Sequence, residues 1–178
     1  MSIAFPIVDV NTKSPIEQSI SNLRALIRDM KQVVVAFSGG VDSSPSSHFR
    51  MMEAVIKTKE FLERGESIIY EATFTYNEVL AALDVLVKDD EGWKAYEVKS
   101  STSVSKTYIK DAAIQYYTIV NSGIDLKDIS IVHVNNNYVL EGDLDINKLF
   151  TIESVKERVL NYLPAIPNEV SRLKKVLE

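Results

Sequence analysis

The sequence predicts an α/β fold in which a small mixed β-sheet is flanked by helices. Three observations predict it. Apolar, β-branched runs (IIYEATF, VLAALDVLVK, KAYEVKS and ISIVHV) cluster between Ile68 and Val134. Segments of helical period stand on either side of them, and one, from about Lys106 to Asn121, separates the third run from the fourth. A composition of 46% hydrophobic and 25% charged residues over 178 positions suits one soluble domain with a full core. The order helix, three strands, helix, strand suits a sheet covered by helices.

The elements follow in chain order. A first helix is expected from Pro15 to Met30, with Ile16, Ile20, Leu23, Ile27 and Met30 on one face and Pro15 at its start. A short strand, Val33–Phe37, runs into the turn SGGVDSSPSS, where Pro45 is expected to stop a helix from continuing out of the turn. The next helix is predicted from Phe49 to Glu63, ended by Gly65. VLAALDVLVK and KAYEVKS flank the turn DDEG and predict a hairpin. The loop STSVS leads to the Lys106–Asn121 helix, stopped by Gly123, with Ile109, Ala112, Ala113, Tyr116 and Val120 as its apolar positions. After ISIVHV come the turn NNN and the segment YVLEG, and residues 151–163 and 168–177 read as two closing helices separated by Pro164 and Pro167. The chain divides into an N-terminal helix–strand segment, 1–44, and a main domain, 45–178.

Composition excludes several chemistries. The absence of cysteine removes disulfides, thiolate zinc sites and cysteine-bound iron–sulfur clusters. His48 and His133 are too far apart in sequence to suggest a zinc site. No apolar run approaches a membrane span and no secretory leader is visible, so a cytoplasmic protein without membrane contact is expected. A net charge of −5 argues against a protein that coats DNA generically. It leaves room for a local site that meets phosphate through a lysine and a cation.

Asp84, Glu97 and Lys99 form the pattern D-x12-E-x-K inside these strand-like runs. Alternation puts Glu97 and Lys99 on one face of a strand and Val98 on the other. Asp84 interrupts Ala81, Ala82, Leu83, Val85, Leu86 and Val87, where a lone carboxylate is costly unless a cation or lysine is near. Two carboxylates and a lysine on neighbouring strands suit a hard cation such as Mg²⁺ or Mn²⁺ and the activation of water.

From about Arg50 to Phe150 the chain resembles the PD-(D/E)XK nuclease superfamily, in its RecB-like exonuclease branch. The resemblance is carried by IIYEATF, LDVL, YEVKSST, DAAIQYY and IVHVNNNYVLEGDLDINKLF, in that order. It implies a restriction-endonuclease-like core and a Mg²⁺- or Mn²⁺-dependent phosphodiesterase acting on DNA, of exonuclease type. It further implies roles. Asp84 and Glu97 would hold metal, with the Val98 backbone carbonyl as a third ligand, and Lys99 would orient water and stabilise charge on the phosphate. Glu71 would be an additional acid, and Gln115 a residue of the following helix reaching the site. Apart from the resemblance, Lys106 and Lys110 lie one helical turn apart on a shared face and are read as candidate contacts to a DNA backbone, solvated surface lysines being the commoner case, with Tyr116 beside Gln115 as a further candidate contact. A nuclease of this size implies a partner domain or a second subunit. The segment TKEFLERG stands where many RecB-like nucleases carry a histidine, and Ile119 where relatives often have tyrosine.

A second motif competes. VVVAFSGGVDSS, Val33 to Ser44, resembles the PP-loop of ATP pyrophosphatases of the sulfur-transfer type that acts in nickel-cofactor assembly, and NLRALIRDM before it matches as well. It implies ATP held by Ser38, Gly39, Gly40 and Ser43, with Asp42 near Mg²⁺. The resemblance stops near Ser44, where PSSHFRMM replaces the expected apolar helix, so the segment is read as a fragment joined to a nuclease core. The alternatives to a nuclease are therefore an ATP-binding protein of this type and a nuclease-fold module that binds nucleic acid without cutting it. Asp143 and Asp145 are read as a polar turn before a helix. Trp93, Tyr108, Tyr116 and Tyr117 offer ring faces for bases, with burial expected for most of them.

Overall fold

The computed structural model describes residues 45–177, with side chains from 52 to 175. The expected Pro15–Met30 helix, the Val33–Phe37 strand, the motif from Ser38 to Ser43 and the boundary at residue 44 lie outside the described residues, as does the side chain of His48.

A five-stranded mixed sheet forms the centre, in the order β1 (Ile68–Tyr76), β2 (Val79–Asp89), β3 (Gly92–Lys99), β4 (Leu126–Val134) and β5 (Phe150–Ser154). Neighbours pair antiparallel except β3 and β4, which run parallel. The parallel step needs a crossover, and α2 (Lys106–Asn121) supplies it. Helix α1 (Pro45–Glu63) precedes the sheet. The short α3 (Ile146–Leu149), α4 (Lys156–Leu160), a 3₁₀ turn (Leu163–Ala165) and α5 (Ile166–Leu177) complete the described chain. The architecture is the predicted α/β class, a mixed sheet with flanking helices.

Chain chemistry explains the boundaries. Gly65 sits at φ +78, and the amides of Gly65 and Glu66 close back on the Leu62 and Phe61 carbonyls, the αL ending a helix favours. The β2–β3 turn is set by Asp89, whose Oδ1 accepts from the amides of Glu91 and Gly92. Gly92 has φ +134, and a Cβ there would lie 2.7 Å from the Lys127 side chain. Ser105 caps α2 by accepting from the Tyr108 amide.

One core lies between the sheet and α2, α4 and α5. Leu83, Leu86, Ala95, Ile129 and Ile131 from the sheet meet Ile109, Ala112, Ala113, Tyr116 and Ile119 from α2, with Val155, Val159, Ile166 and Val170 closing one end. Ala95, Ala112 and Ala113 are fully or almost fully buried and let α2 lie close to the strands.

Four expectations are corrected. Pro45 begins α1 instead of blocking it, because a proline in the first turn has no amide whose bond is lost. The buried position near the end of α2 is Ile119, while Val120 is 39% exposed, so the apolar stripe follows the i, i+3, i+7 row from Ile109 and Ala112. Residues 151–154, taken as the start of a closing helix, belong with Phe150 to β5, because Ser130–Val134 of β4 offers them a free edge. Pro164 lies in the 3₁₀ turn between α4 and α5, as a separator should, but Pro167 falls inside the first turn of α5 instead of before it. The segment YVLEG is irregular and forms no strand.

Candidate active site

The candidate site lies where β2 and β3 diverge. Their ladder runs from Asp89↔Gly92 to Val85↔Tyr96 and goes no further. Beyond it, the Asp84 Oδ2 accepts from the Val98 amide at 2.6 Å, so a side chain takes the place of a strand carbonyl. The backbone makes room for this. Both β1 and β2 change their alternation at the same level: Ile69 and then Ala72 and Phe74 are buried on β1, while Leu83 and Leu86 both enter the core from β2. The residues at that step are Glu71 and Asp84, which fall between the pairs Tyr70↔Val85 and Ala72↔Leu83. Glu71 has φ +53, a left-handed conformation that a β-carbon disfavours. The Glu71 carbonyl accepts from Thr73 Oγ1, and Thr58 Oγ1 of α1 accepts from the Thr73 amide at 2.9 Å, so α1 fixes the irregularity.

Glu97 and Lys99 share the sheet face of Trp93 and Ala95, the face covered by α2. Glu97 is 3% exposed. Its Oε1 accepts from Lys99 Nζ at 2.7 Å, and its Oε2 accepts from Gln115 Nε2 at 3.0 Å. Gln115 also donates to the Ala82 carbonyl, so two acceptors fix the amide orientation and leave Oε1 buried without a hydrogen-bond partner. Lys99 Nζ also lies 5.5 Å from the centre of the Tyr108 ring. Glu71, Asp84, Glu97, Lys99 and Gln115 therefore come together from β1, β2, β3 and α2.

Electrostatics distinguishes Asp84 from its neighbours. Burial pushes its carboxyl up to about 6, and the Glu97 charge adds to the rise, as Glu71 does more weakly. The Val98 amide and Lys99 oppose it. Asp84 thus sits in negative potential that Lys99 does not cancel. That is the donor chemistry a hard divalent cation fits. Among the described residues no group of three His, Cys, Asp or Glu side chains is arranged to hold a metal. A cation here would rest on the two carboxylates Asp84 and Glu97 with other oxygens completing the set, which is the habit of Mg²⁺.

The remaining expected residues are placed as follows. Lys106 and Lys110 are exposed on the first turns of α2. Tyr116 is 8% exposed and packs in the core, which corrects its expected role as a DNA contact. The helix period that puts Ile109, Ala112 and Ala113 inside takes Tyr116 with them. Trp93 is also buried, while Tyr117 meets Tyr76 edge to face at 5.5 Å. Asp145 caps α3 through the Asn147 amide, and Asp143 is exposed in the preceding loop. Two features had no sequence signal: the left-handed Glu71, and His133, which the parallel pairing sets level with Lys99.

Glu71 offers a direct test of strain. Glu71→Gly is expected to raise unfolding stability by about 1 kcal/mol, because glycine accepts the left-handed backbone that glutamate resists. Urea titration of the two proteins checks this; a loss of stability in Glu71→Gly would show that the side chain supports the fold.

No protein-family model matches this chain, and no curated protein matches it. Among solved structures, the crystal structure of an alkaline exonuclease (LHK-Exo) from Laribacter hongkongensis is similar at 15% identity and a TM-score of 0.32, over 95% of this chain and 89% of that one. Among the described residues, no helix is long and apolar enough to cross a membrane.

Proposed function

We propose that this protein is a Mg²⁺- or Mn²⁺-dependent nuclease that hydrolyses phosphodiester bonds of DNA in an exonuclease-like manner. The observation that carries the proposal is the divergence of β2 and β3 at Asp84. It sets a carboxylate with a raised proton affinity beside a buried Glu97–Lys99 pair. Such a raised carboxylate, built by burial and a neighbouring acid, is common at working sites.

Asp84 and Glu97 would hold the cation, with Glu71 adding negative potential. A bound divalent cation would supply Lewis-acid neutralisation of the phosphate and a lower pKa for attacking water. The protein's own groups do the positioning. Gln115 and Lys99 hold the two oxygens of Glu97 in place. The Val98 amide fixes Asp84. Lys99 presents a positive charge that lies over the Tyr108 ring, suited to charge that develops on a phosphate. Lys106 and Lys110 follow on the first turns of α2, exposed, where a polyanion leaving the site would meet them.

The test compares wild type, Asp84→Ala and Lys99→Ala on single- and double-stranded DNA, end-labelled, with and without Mg²⁺ or Mn²⁺. Circular dichroism confirms that each variant is folded. Wild type is expected to cleave only with metal, and each variant to lose at least about a hundredfold in rate. Equal cleavage by all three would sink the proposal. DNA binding without cleavage in any metal would establish a nuclease-fold binding module instead.

A further inference from the structure

Helix α1 has no part in that scheme, yet one of its side chains reaches the backbone of β1 beside the site. Thr58 is 3% exposed, and its Oγ1 accepts from the Thr73 amide at 2.9 Å. Thr73 is also buried, and its own Oγ1 donates to the Glu71 carbonyl at 3.0 Å. Two hydrogen bonds thus lead from α1 to the backbone of Glu71.

β1 has to break its alternation here. Ile69 lies in the core, and so do Ala72 and Phe74. Strict alternation would put one residue between Ile69 and the next core position, and two stand there, Tyr70 and Glu71. Both are exposed, so core burial does not choose which of them takes the irregular conformation. It falls on Glu71, at φ +53, although a β-carbon resists that backbone. The Glu71 carbonyl is the group that Thr73 holds, and Thr58 holds Thr73.

The choice matters to the site. Glu71 falls between the pairs Tyr70↔Val85 and Ala72↔Leu83, as Asp84 does on the neighbouring strand. Its charge is felt there, since it adds to the rise of the Asp84 carboxyl. A step taken at Tyr70 would return Glu71 to extended backbone and turn its side chain away from that position.

We infer that Thr58 is a positioning residue for the candidate cation site: its hydroxyl, through Thr73, fixes the step of β1 at Glu71 and so keeps the Glu71 carboxylate beside Asp84. The inference rests on the reading of Asp84 and Glu97 as the groups that hold the cation. It adds a neutral side chain that touches neither cation nor substrate, and it makes α1 part of the site.

The experiment uses the full chain labelled with ¹³C and ¹⁵N, first in chelator. Carbon shifts of Glu71 report whether its backbone is left-handed or extended, and the Asp84 carboxyl carbon is followed in the same samples. Wild type is expected to show the left-handed shifts. Thr58→Val is expected to lose them and to move the Asp84 signal, while Thr58→Ser, which keeps the hydroxyl, restores both. Thr58→Ala replaces Thr58→Val if circular dichroism shows that valine is not accommodated. Mn²⁺ alone is then titrated and followed by electron paramagnetic resonance. Thr58→Val and Glu71→Gln are each expected to weaken Mn²⁺ binding about tenfold, Thr58→Ser to bind as wild type does, and the double variant Thr58→Val with Glu71→Gln to lose no more than either alone. Left-handed Glu71 shifts that persist without the Thr58 hydroxyl, or Mn²⁺ affinity unchanged in Glu71→Gln, overturn the inference. Wild type that binds no Mn²⁺, yet whose Glu71 and Asp84 signals follow the Thr58 hydroxyl, overturns the metal-dependent nuclease reading and leaves the coupling standing.

Discussion

Lys99→Met is expected to cost the metal-free protein about 3–5 kcal/mol of stability, far more than a surface lysine would. The reason is its partner. Glu97 has a side chain only 4% exposed, and Lys99 is 14% exposed. Removing the ammonium leaves a buried carboxylate without that cation, and the neutral Gln115 donor does not make up for the lost charge. Replacing both partners removes the charge along with its neutraliser, so Glu97→Gln with Lys99→Met is expected to recover most of the loss. Urea unfolding of the two single variants and the double variant measures this. A Lys99→Met loss below about 1 kcal/mol would place the pair among weak surface contacts and undo the argument.

Asp84→Asn is expected to do the opposite to stability while abolishing cleavage. Burial and the Glu97 charge raise Asp84 from 3.8 to about 6. The folded state therefore keeps a proton that the unfolded chain has already released in that interval. Stability of the metal-free wild type falls as pH rises from about 4 through about 6, because the folded protein binds more protons than the unfolded one there. A rise of that size corresponds to about 3 kcal/mol between protonation states; partial exposure of the group discounts it to about 1–2 kcal/mol. Asparagine removes the charge and keeps an oxygen for the Val98 amide. At neutral pH in chelator it should be more stable than wild type by about 1–2 kcal/mol, with the difference vanishing near pH 4. Alanine should not show the gain, since it leaves the Val98 amide without its acceptor. Chemical denaturation of the three proteins across pH decides it. Asn and wild type differing by the same amount at every pH would remove titration of Asp84 as the cause.

The regions of this fold that were legible in the sequence are those where side-chain period and backbone agree. The hairpin around DDEG, the α2 boundaries and the shared face of Glu97 and Lys99 follow from regular alternation, helical spacing and turn chemistry. What was hidden depends on long-range or irregular geometry. FTIES is short and leads straight into KERVL, so only the free edge of β4 makes it a strand. The step at Glu71 and Asp84 alters alternation on both strands together, and neither residue type announces a left-handed backbone. His133 stands beside Lys99 only because a parallel crossover brings their strands into register. The candidate site was legible as a set of residue types; its fixing by Val98, Gln115 and Thr58 was not.

The bond from Val98 to Asp84 has a consequence for watching the protein at work. An amide in a ladder is protected by another strand's backbone and exchanges with solvent only when the strands separate. The Val98 amide is protected by a titratable side chain instead. Its exchange rate is thus a built-in gauge of the carboxylate's whereabouts. Any ligand that draws Asp84 away from the backbone would write its arrival into a single peptide N–H, readable without substrate and without turnover.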